Sequence, residues 1–290
     1  MLKNKISIVV VNYNGKNQTI NLLKSINKLD YPKDKIETII IDNNSQDDSI
    51  RTIKKRFPQI IFLKNKKNVG YGPAVNIGAR KANSKYILIL NNDITLSENF
   101  LNEILKTFKT HKKCIVGPKL IIEGRNKHSW IQYFSPWTGK INMRHKKINR
   151  LTETQWIQGC AMFTTKRILK SLNYFDEGFA KIFFEDLDLC LRAQKKNIET
   201  LVNPQVVCHH IQSYTIEKIP NHEKLFYWYK NKIRFIIKHG NPFQIISVTA
   251  FTLLSALYWQ VIKKQPNLKS FFQALVWNLK NLKQTQSLRN

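Results

Sequence analysis

Several groups of polar side chains stand at the ends of apolar runs. The run Tyr86 to Leu90 stops abruptly at Asn91-Asn92-Asp93, three short polar residues. A lone carboxylate held there, with few competing charges, suits a divalent metal that also holds a diphosphate, because hard cations collect oxygen ligands. A plain helix-capping Asn/Asp turn is the competing reading. Asp42 ends a β-branched run in the same way, and Asn12-Tyr13-Asn14 ends another. Glu185 and Asp186 follow the aromatic pair Phe183-Phe184 and open a stretch in which Leu187, Cys190 and Leu191 share a helical face. His209 and His210 close a short apolar run from Gln205 to Cys208.

Strands must carry these groups if they are to meet. The runs at 6–15, 37–49 and 59–64 each begin as a buried strand, and 86–90 is a fourth. Between them, 19–29 places Ile20, Leu23 and Ile26 at helical spacing. Ser45 with Asp48 fits a capping box ahead of Ile50 and Ile53. Asn68 to Arg80 is a glycine-bearing loop running into a short helix, and Ser97 is the expected N-cap of the next one, with Leu96 and Leu101 as a staple. Four βα units in series predict an α/β chain with a doubly wound, mostly parallel sheet. Ligands of such sheets sit at the carboxyl edge of the strands, where the polar groups lie. Past residue 115 the rhythm changes: a short strand at 115–120, a long excursion over 123–150, then a strand at 159–165 and a helix at 166–172.

The last seventy residues have a different character, so the reading divides the chain into 1–220 and a helical, basic, amphipathic region at 221–290. Aromatic residues alternate there with Lys and Arg up to Gly240-Asn241-Pro242. The stretch 245–262 carries no charge and would make a helix of about 27 Å, close to bilayer thickness. Five hydroxyl or amide side chains dilute it. Leu268, Phe271, Phe272, Leu275, Leu279 and Leu282 fall on one helical face flanked by Lys269, Lys280 and Lys283, the pattern of a basic helix lying in a membrane plane. Packing of both helices on the domain is the alternative.

A formal charge of +29 favours contact with a polyanion: nucleic acid, a phosphorylated substrate or an anionic membrane face. A lysine-rich compositional bias accounts for part of it. The four cysteines are widely spaced without a C-x-x-C pair, as expected of buried, reduced thiols in a cytosolic setting. The N-terminus runs straight into a strand without an apolar leader, so no signal peptide is expected.

Taken together, VVVNYNG, IIIDNNSQDDS, NVGYGPAVNIGAR, LILNNDITL and FFEDLDLCLR resemble glycosyltransferase family 2, of the GT-A fold, over about residues 6–213. The N-N-D in place of D-x-D resembles its rhamnosyltransferase-like branch. The resemblance implies an inverting, metal-dependent enzyme that uses a nucleotide-diphosphate sugar and Mg²⁺ or Mn²⁺. It places Asn12, Tyr13, Asn14 and Asp42 at the nucleobase, where a carboxylate accepts from an imide N–H. Asn44, Gly70, Tyr71 and Asn76 are expected along the nucleotide, with Asn91 and Asn92 also at the donor. Val75 stands where many relatives carry a basic residue. Asp93 matches the metal-binding acid, and His209 or His210, followed by Ser213, the distal histidine of the metal shell, with His209 preferred. In the Glu185-Asp186 pair, Asp186 matches the catalytic base, and the neighbouring acid and aromatic run should raise its pKa.

The expected acceptor is a glycan or a polyprenyl-linked glycan of the cell surface, reached at the cytoplasmic face of the membrane by a peripheral or monotopic protein. Rhamnose or a similar hexose from a dTDP- or UDP-donor is the expected cargo. A basic nucleic-acid-binding protein without transferase activity is the alternative, but it leaves five ordered motifs unexplained. A processive synthase would carry Q-x-x-R-W, which is absent. A nucleotidyltransferase would open with a glycine-rich loop, whereas VVVNYNG has one glycine.

Overall fold

The computed structural model describes residues 4–122, 128–129, 131–144, 148–179, 181–210, 219–264 and 267–289. Two compact units divide the chain. Residues 1–132, 143–180 and 185–215 form one, and 133–142, 181–184 and 216–290 the other.

In the first unit, β-branched runs become β1 (Ile6–Asn12), β2 (Ile36–Asp42), β3 (Ile61–Lys64) and β4 (Tyr86–Asn91). They lie parallel in the order β4-β1-β2-β3. Their crossovers contain α1 (Lys16–Asn27), α2 (Ser49–Arg56) and α3 (Tyr71–Lys81). The register pairs Asn12 with Asp42 and Val11 with Asn91, so the polar strand ends line up along one edge.

The sheet then grows on the other side. Next come β5 (Ile94–Leu96), α4 (Phe100–Thr110), β6 (Cys114–Ile122), β7 (His128–Ser129), β8 (Ile131–Phe134), β9 (Ile141–Arg144) and β10 (Thr152–Glu153), of which β8 and β9 pair with each other in a separate two-stranded sheet. They are followed by β11 (Ala161–Thr165), α5 (Lys166–Ser171), α6 (Glu185–Lys195) and β12 (Glu199–His210). Full order is β10-β12-β6-β11-β4-β1-β2-β3, with β11 antiparallel between β4 and β6. The result is a mixed α/β sheet, mostly parallel, as the βα rhythm predicts. Ile6, Ile8, Val10, Ile40, Leu88 and Leu90 fill its core with no exposure. All four cysteines are buried and free.

Local signals shifted where tertiary partners competed. Ser45 does not cap α2; its hydroxyl serves Asn12 and Asn14 instead, and the helix starts at Ser49. Ser97 does not cap α4 either. Its hydroxyl donates to the Val207 carbonyl, and the helix begins three residues later. Within 123–150, expected as an irregular excursion, the described residues include β7, β8 and β9.

The second unit contains α7 (Asn221–His239), α8 (Pro242–Val261), α9 (Asn267–Lys280) and α10 (Leu282–Gln286). Tyr229, Ile233, Ile237, Ala256, Phe271 and Ala274 form its core, with Leu268, Leu275 and Leu282 packed against them. The predicted membrane-facing stripe of α9 is therefore split. Its larger part seals the core, while Phe272 and Leu279 remain exposed, as does Val276, which lies outside the predicted stripe. Among the described residues, α8 is long and apolar enough to cross a membrane. It buries Val248, Thr252 and Ala256 and exposes Phe243, Ile246, Leu254, Tyr258 and Val261. An Asn241–Gln244 capping box and Pro242 start it.

Candidate active site

The carboxyl edge of β1, β2 and β4 gathers two adjoining groups of side chains. Asn12 organises the first. Its amide nitrogen lies 2.9 Å from Asp42 Oδ1, 3.1 Å from Ser45 Oγ and 3.0 Å from Ser49 Oγ, two protons serving three acceptors. Its oxygen accepts from Thr19 Oγ1 at 2.8 Å and from the Asn92 amide at 3.3 Å. The other Asp42 oxygen accepts from the Ser45 N–H at 2.9 Å. Each Asp42 oxygen therefore has one donor and a lone pair to spare.

Two asparagines expected at the donor also shape the backbone. Asn14 and Asn44 adopt left-handed conformations, φ 49° and 66°, which asparagine tolerates better than most residues. Asn14 Oδ1 accepts from Gln46 N–H at 2.7 Å, tying the β1 and β2 turns together. Tyr13, beside Asn14 in the turn after β1, is half-buried. Asn43 carries a role that no local sequence signal assigns. Buried beside Asp42, it donates to Asn68 Oδ1 and the Gly70 carbonyl and accepts from Asn65 and the Val69 N–H. It thereby sets the turn at Gly70, φ 90°, from which α3 springs.

Tyr71 anchors the second group. Its hydroxyl donates to the Gly159 carbonyl, and Gly159 N–H donates to Asp186 Oδ2 at 3.0 Å. Burial raises the phenol well above its usual value, with further upward pressure from Cys160, Glu185, Asp186 and Asp93 around it. Three predicted acids thus lie near enough to this phenol to raise it. Asp186 Oδ1 accepts from Leu187 N–H at 2.8 Å, at the amino end of α6. Burial raises the Asp186 carboxyl, while those two backbone donors pull it back. Glu185 is buried with Oε2 unpartnered, and burial followed by the Asp186 charge pushes it well above the carboxylate range. Of the two, Glu185 is pushed further toward its protonated form, and Asp186 keeps the backbone donors that favour its ionised form.

Asp93 meets His210, not His209. Successive side chains on β12 point to opposite faces, so His209 is exposed while His210 turns inward. Preference for His209 is corrected on that ground; Ser213 lies outside the described residues. His210 Nε2 and Asp93 Oδ1 are buried 3.3 Å apart, and neither has a well-aligned hydrogen bond. Burial pulls the imidazole down, but the Cys160 sulfur and the Asp93 carboxylate outweigh it and push it up to about 10. A divalent ion of borderline softness placed between these two atoms would have to displace the imidazolium proton, and would then satisfy both the oxygen and the nitrogen. Among the described residues no third acid, histidine or cysteine completes a metal cage, so a bound diphosphate would have to supply further oxygens.

Asn92, next to Asp93 in the chain, belongs to the Asn12 group. Its amide reaches Asn12 and, at 3.2 Å, Thr19 Oγ1, and a Cβ on Gly15 would lie 2.1 Å from it, so that turn has room only for glycine. Asn91 is half-buried and its N–H donates to the Cys160 carbonyl. Asp42 ends β2 and Asp93 follows the end of β4 in the turn before β5, and in the sheet β2 and β4 are separated by β1 alone. Asn76 is placed differently from the rest. Buried in α3, it uses its amide on the Phe175 backbone and Glu177. Arg80 pairs with Glu177 at 3.7 Å and lies over the Tyr174 ring. Asp188 is fully buried against Arg192 at 2.8 Å, as their i,i+4 spacing predicts.

The family model for glycosyl transferase family 2 matches residues 7–175, more than half of the chain. The chain belongs to glycosyltransferase family 2. This transferase is 27% identical over 231 residues to a dolichyl N-acetyl-α-D-glucosaminyl phosphate 3-β-D-2,3-diacetamido-2,3-dideoxy-β-D-glucuronosyltransferase of Methanococcus voltae, covering 74% of this chain and 69% of that one. It is 24% identical over 126 residues to the poly(ribitol-phosphate) β-N-acetylglucosaminyltransferase TarS of Staphylococcus aureus, covering 40% and 21%. The TarS 1–349 structure with UDP-GlcNAc superposes with TM-score 0.63 at 14% identity, over 98% of this chain and 83% of that one. GalNAc-T7 with UDP, GalNAc and Mn²⁺ superposes at 0.68 and 13% identity, over 98% of this chain and 58% of that one. The transferase thus has the GT-A fold that the five motifs imply.

Proposed function

We propose that this transferase is an inverting, metal-dependent enzyme that moves a hexose from a dTDP- or UDP-sugar to a hydroxyl of a phosphate-bearing, cell-surface glycan. The convergence of Asp93, Glu185 and Asp186 around Tyr71, next to the Asn12–Asp42 group, carries this reading. Asp186 accepts the proton of the acceptor hydroxyl while that oxygen bonds to the anomeric carbon. The bond to the nucleotide diphosphate breaks on the opposite face, and the configuration inverts. Backbone donors from Gly159 and Leu187 fix the orientation of this base. Protonated Glu185 adds no second charge beside it. Asp93 and His210 would hold a divalent cation, Mn²⁺ or Mg²⁺, whose charge stabilises the departing diphosphate. Asp42 and Asn12 would receive the base, and the Gly70 turn the rest of the nucleotide.

Asn91-Asn92-Asp93 favours dTDP-rhamnose as donor. The relatives' names favour an N-acetylated sugar, and they also name acceptors that contain phosphate: a dolichyl phosphate and a poly(ribitol-phosphate). The decisive experiment screens donors with Mn²⁺ against wild type, Asp93→Ala and Asp186→Asn. Asp186→Asn should keep donor binding and lose roughly 10²- to 10⁴-fold in transfer. Retention of most activity would remove Asp186 from the role of base.

In this reading the enzyme works at the cytoplasmic face of an anionic membrane. The uncharged, exposed face of α8, together with Phe272, Val276 and Leu279, would rest among the acyl chains, with Lys263, Lys264, Lys269 and Lys280 at the headgroups. Each such cation contributes about 1 kcal/mol near an anionic surface.

A further inference from the structure

Helix α7 carries four basic side chains that are buried: Lys230, Lys232, Arg234 and Lys238. Lys230 lies over the Trp277 ring at 4.3 Å, and Arg234 donates to Thr285 Oγ1 at 2.8 Å. Lys232 is different. It is 9% exposed, and its ammonium has no hydrogen bond or ion pair to any described residue; its one recorded neighbour is the Trp228 ring, 5.2 Å away. An ammonium so largely removed from water without a counter-ion is costly unless something else supplies the negative charge.

The surroundings are built around that side chain. Gly139, at φ +66°, lies where a Cβ would meet Lys232 Cδ at 3.0 Å and Val248 Cγ1 at 2.9 Å, so the turn leaves room for the lysine stem. Ser247 Oγ donates to the Trp137 carbonyl and fastens the same turn to α8. On the other side, Phe183 stands edge-on to Trp228 at 5.2 Å, and Phe184 packs on Trp228 and Phe235. The Asn231 amide holds this aromatic pair by donating to the Ile182 and Phe183 carbonyls, although both phenylalanines have positive φ, 74° and 73°. That strained, cross-braced segment keeps the wall beside Lys232 in one conformation. The only acids in this unit's sequence are Glu217 and Glu223, and Glu223 is engaged by Lys181 at 3.4 Å. Burial also pulls the Lys232 amine down to about 8, a cost that an oxyanion partner would reverse.

We infer that Lys232 is the anchor for a phosphate oxyanion of the acceptor, with Trp228 and Phe183 as the apolar wall for the adjoining chain. The inference rests on the transferase reading for its acceptor, and it assigns a phosphate-ester subsite to residues of the second unit alone. Two sources share this chemistry: the phosphate of a lipid-linked acceptor and the phosphate of a polyol chain.

The test is calorimetry on the full chain with farnesyl phosphate, ribitol 5-phosphate, their unphosphorylated alcohols and UDP. Phosphate-bearing probes should bind wild type at least tenfold more tightly than the matching alcohols, and Lys232→Met should remove that advantage, as loss of one charge-assisted contact predicts. Lys232→Arg should retain it within about threefold. Both variants should bind UDP as wild type does, and Lys232→Met, which removes a buried charge, should melt no earlier. Tighter binding of farnesyl phosphate would identify the lipid source, and of ribitol phosphate the polyol source. Equal affinity of phosphates and alcohols, or an undiminished phosphate preference in Lys232→Met, overturns the subsite while intact UDP binding leaves the transferase standing. Loss of UDP binding by wild type would instead strike at the transferase reading itself.

Discussion

Burial and the neighbouring Asp186 push Glu185 toward its protonated form, and that shift has a measurable signature. The folded-state Glu185 keeps its proton above the pH at which the unfolded chain releases it. Over that window the native state binds more protons than the unfolded one, so the stability contributed by this group falls as pH rises. Glutamine has the same shape and donates a proton without titrating. Melting curves of wild type and Glu185→Gln should therefore run closest near pH 4 and separate toward pH 8, with the variant the more stable. Parallel curves would show that Glu185 ionises normally. Asn12 makes the opposite case, a neutral residue whose loss strands its neighbours. In Asn12→Ala, Asp42, Thr19 and Asn92 each lose a buried partner. A loss of about 2 kcal/mol on urea unfolding is expected, along with weaker donor binding by calorimetry.

At the scale of elements, α3 lies so close to the sheet that one methyl group matters. A Cβ at Gly78 would sit 2.4 Å from Ile41 Cδ1 and 2.6 Å from Val9 Cγ1. Gly78→Ala should lower the urea midpoint by the equivalent of about 1–3 kcal/mol with an unchanged m-value. An unaffected midpoint would mean that α3 can lift without consequence. The strands that hold the site were legible in the sequence because β1, β2 and β4 are buried on both faces and read as unbroken apolar runs. The short strands β7 to β10 were not, since two to four residues carry no period. The choice between His209 and His210 depends on the register of β12 against β5, which no local pattern encodes. Ser45 and Ser97 looked like caps, and each found a better partner across the fold. Leu268, Phe271 and Leu275 on α9 satisfy the pattern of a membrane face and of a core face equally well. Only the packing of α7 decided between them. Lys232 has no sequence signal at all among its basic neighbours.

For the whole molecule, the charge of +29 and the exposed apolar face of α8 make one combined prediction. Removing all of 241–290 would strip Ala256, Phe271 and Ala274 from the core of the second unit, so point changes on the exposed face are the cleaner probe. Ile246→Ser combined with Leu254→Ser should leave the melting temperature within a few degrees of wild type. It should also release the protein from vesicles containing anionic lipid, measured by co-sedimentation. Wild-type binding should weaken as salt rises, because the lysine contribution is screened. Binding unchanged by both substitutions and salt would rule out this docking face.

The path of the chain between the two units limits how the enzyme can be taken apart. Residues 133–142 and 181–184 belong with the C-terminal helices, yet both are encoded inside the span of the first unit. Cutting after residue 220 would orphan these two insertions. Anyone wishing to exchange the helical half for that of a relative must therefore transplant three pieces of polypeptide, with five junctions, and evolution faces the same constraint whenever such enzymes recombine.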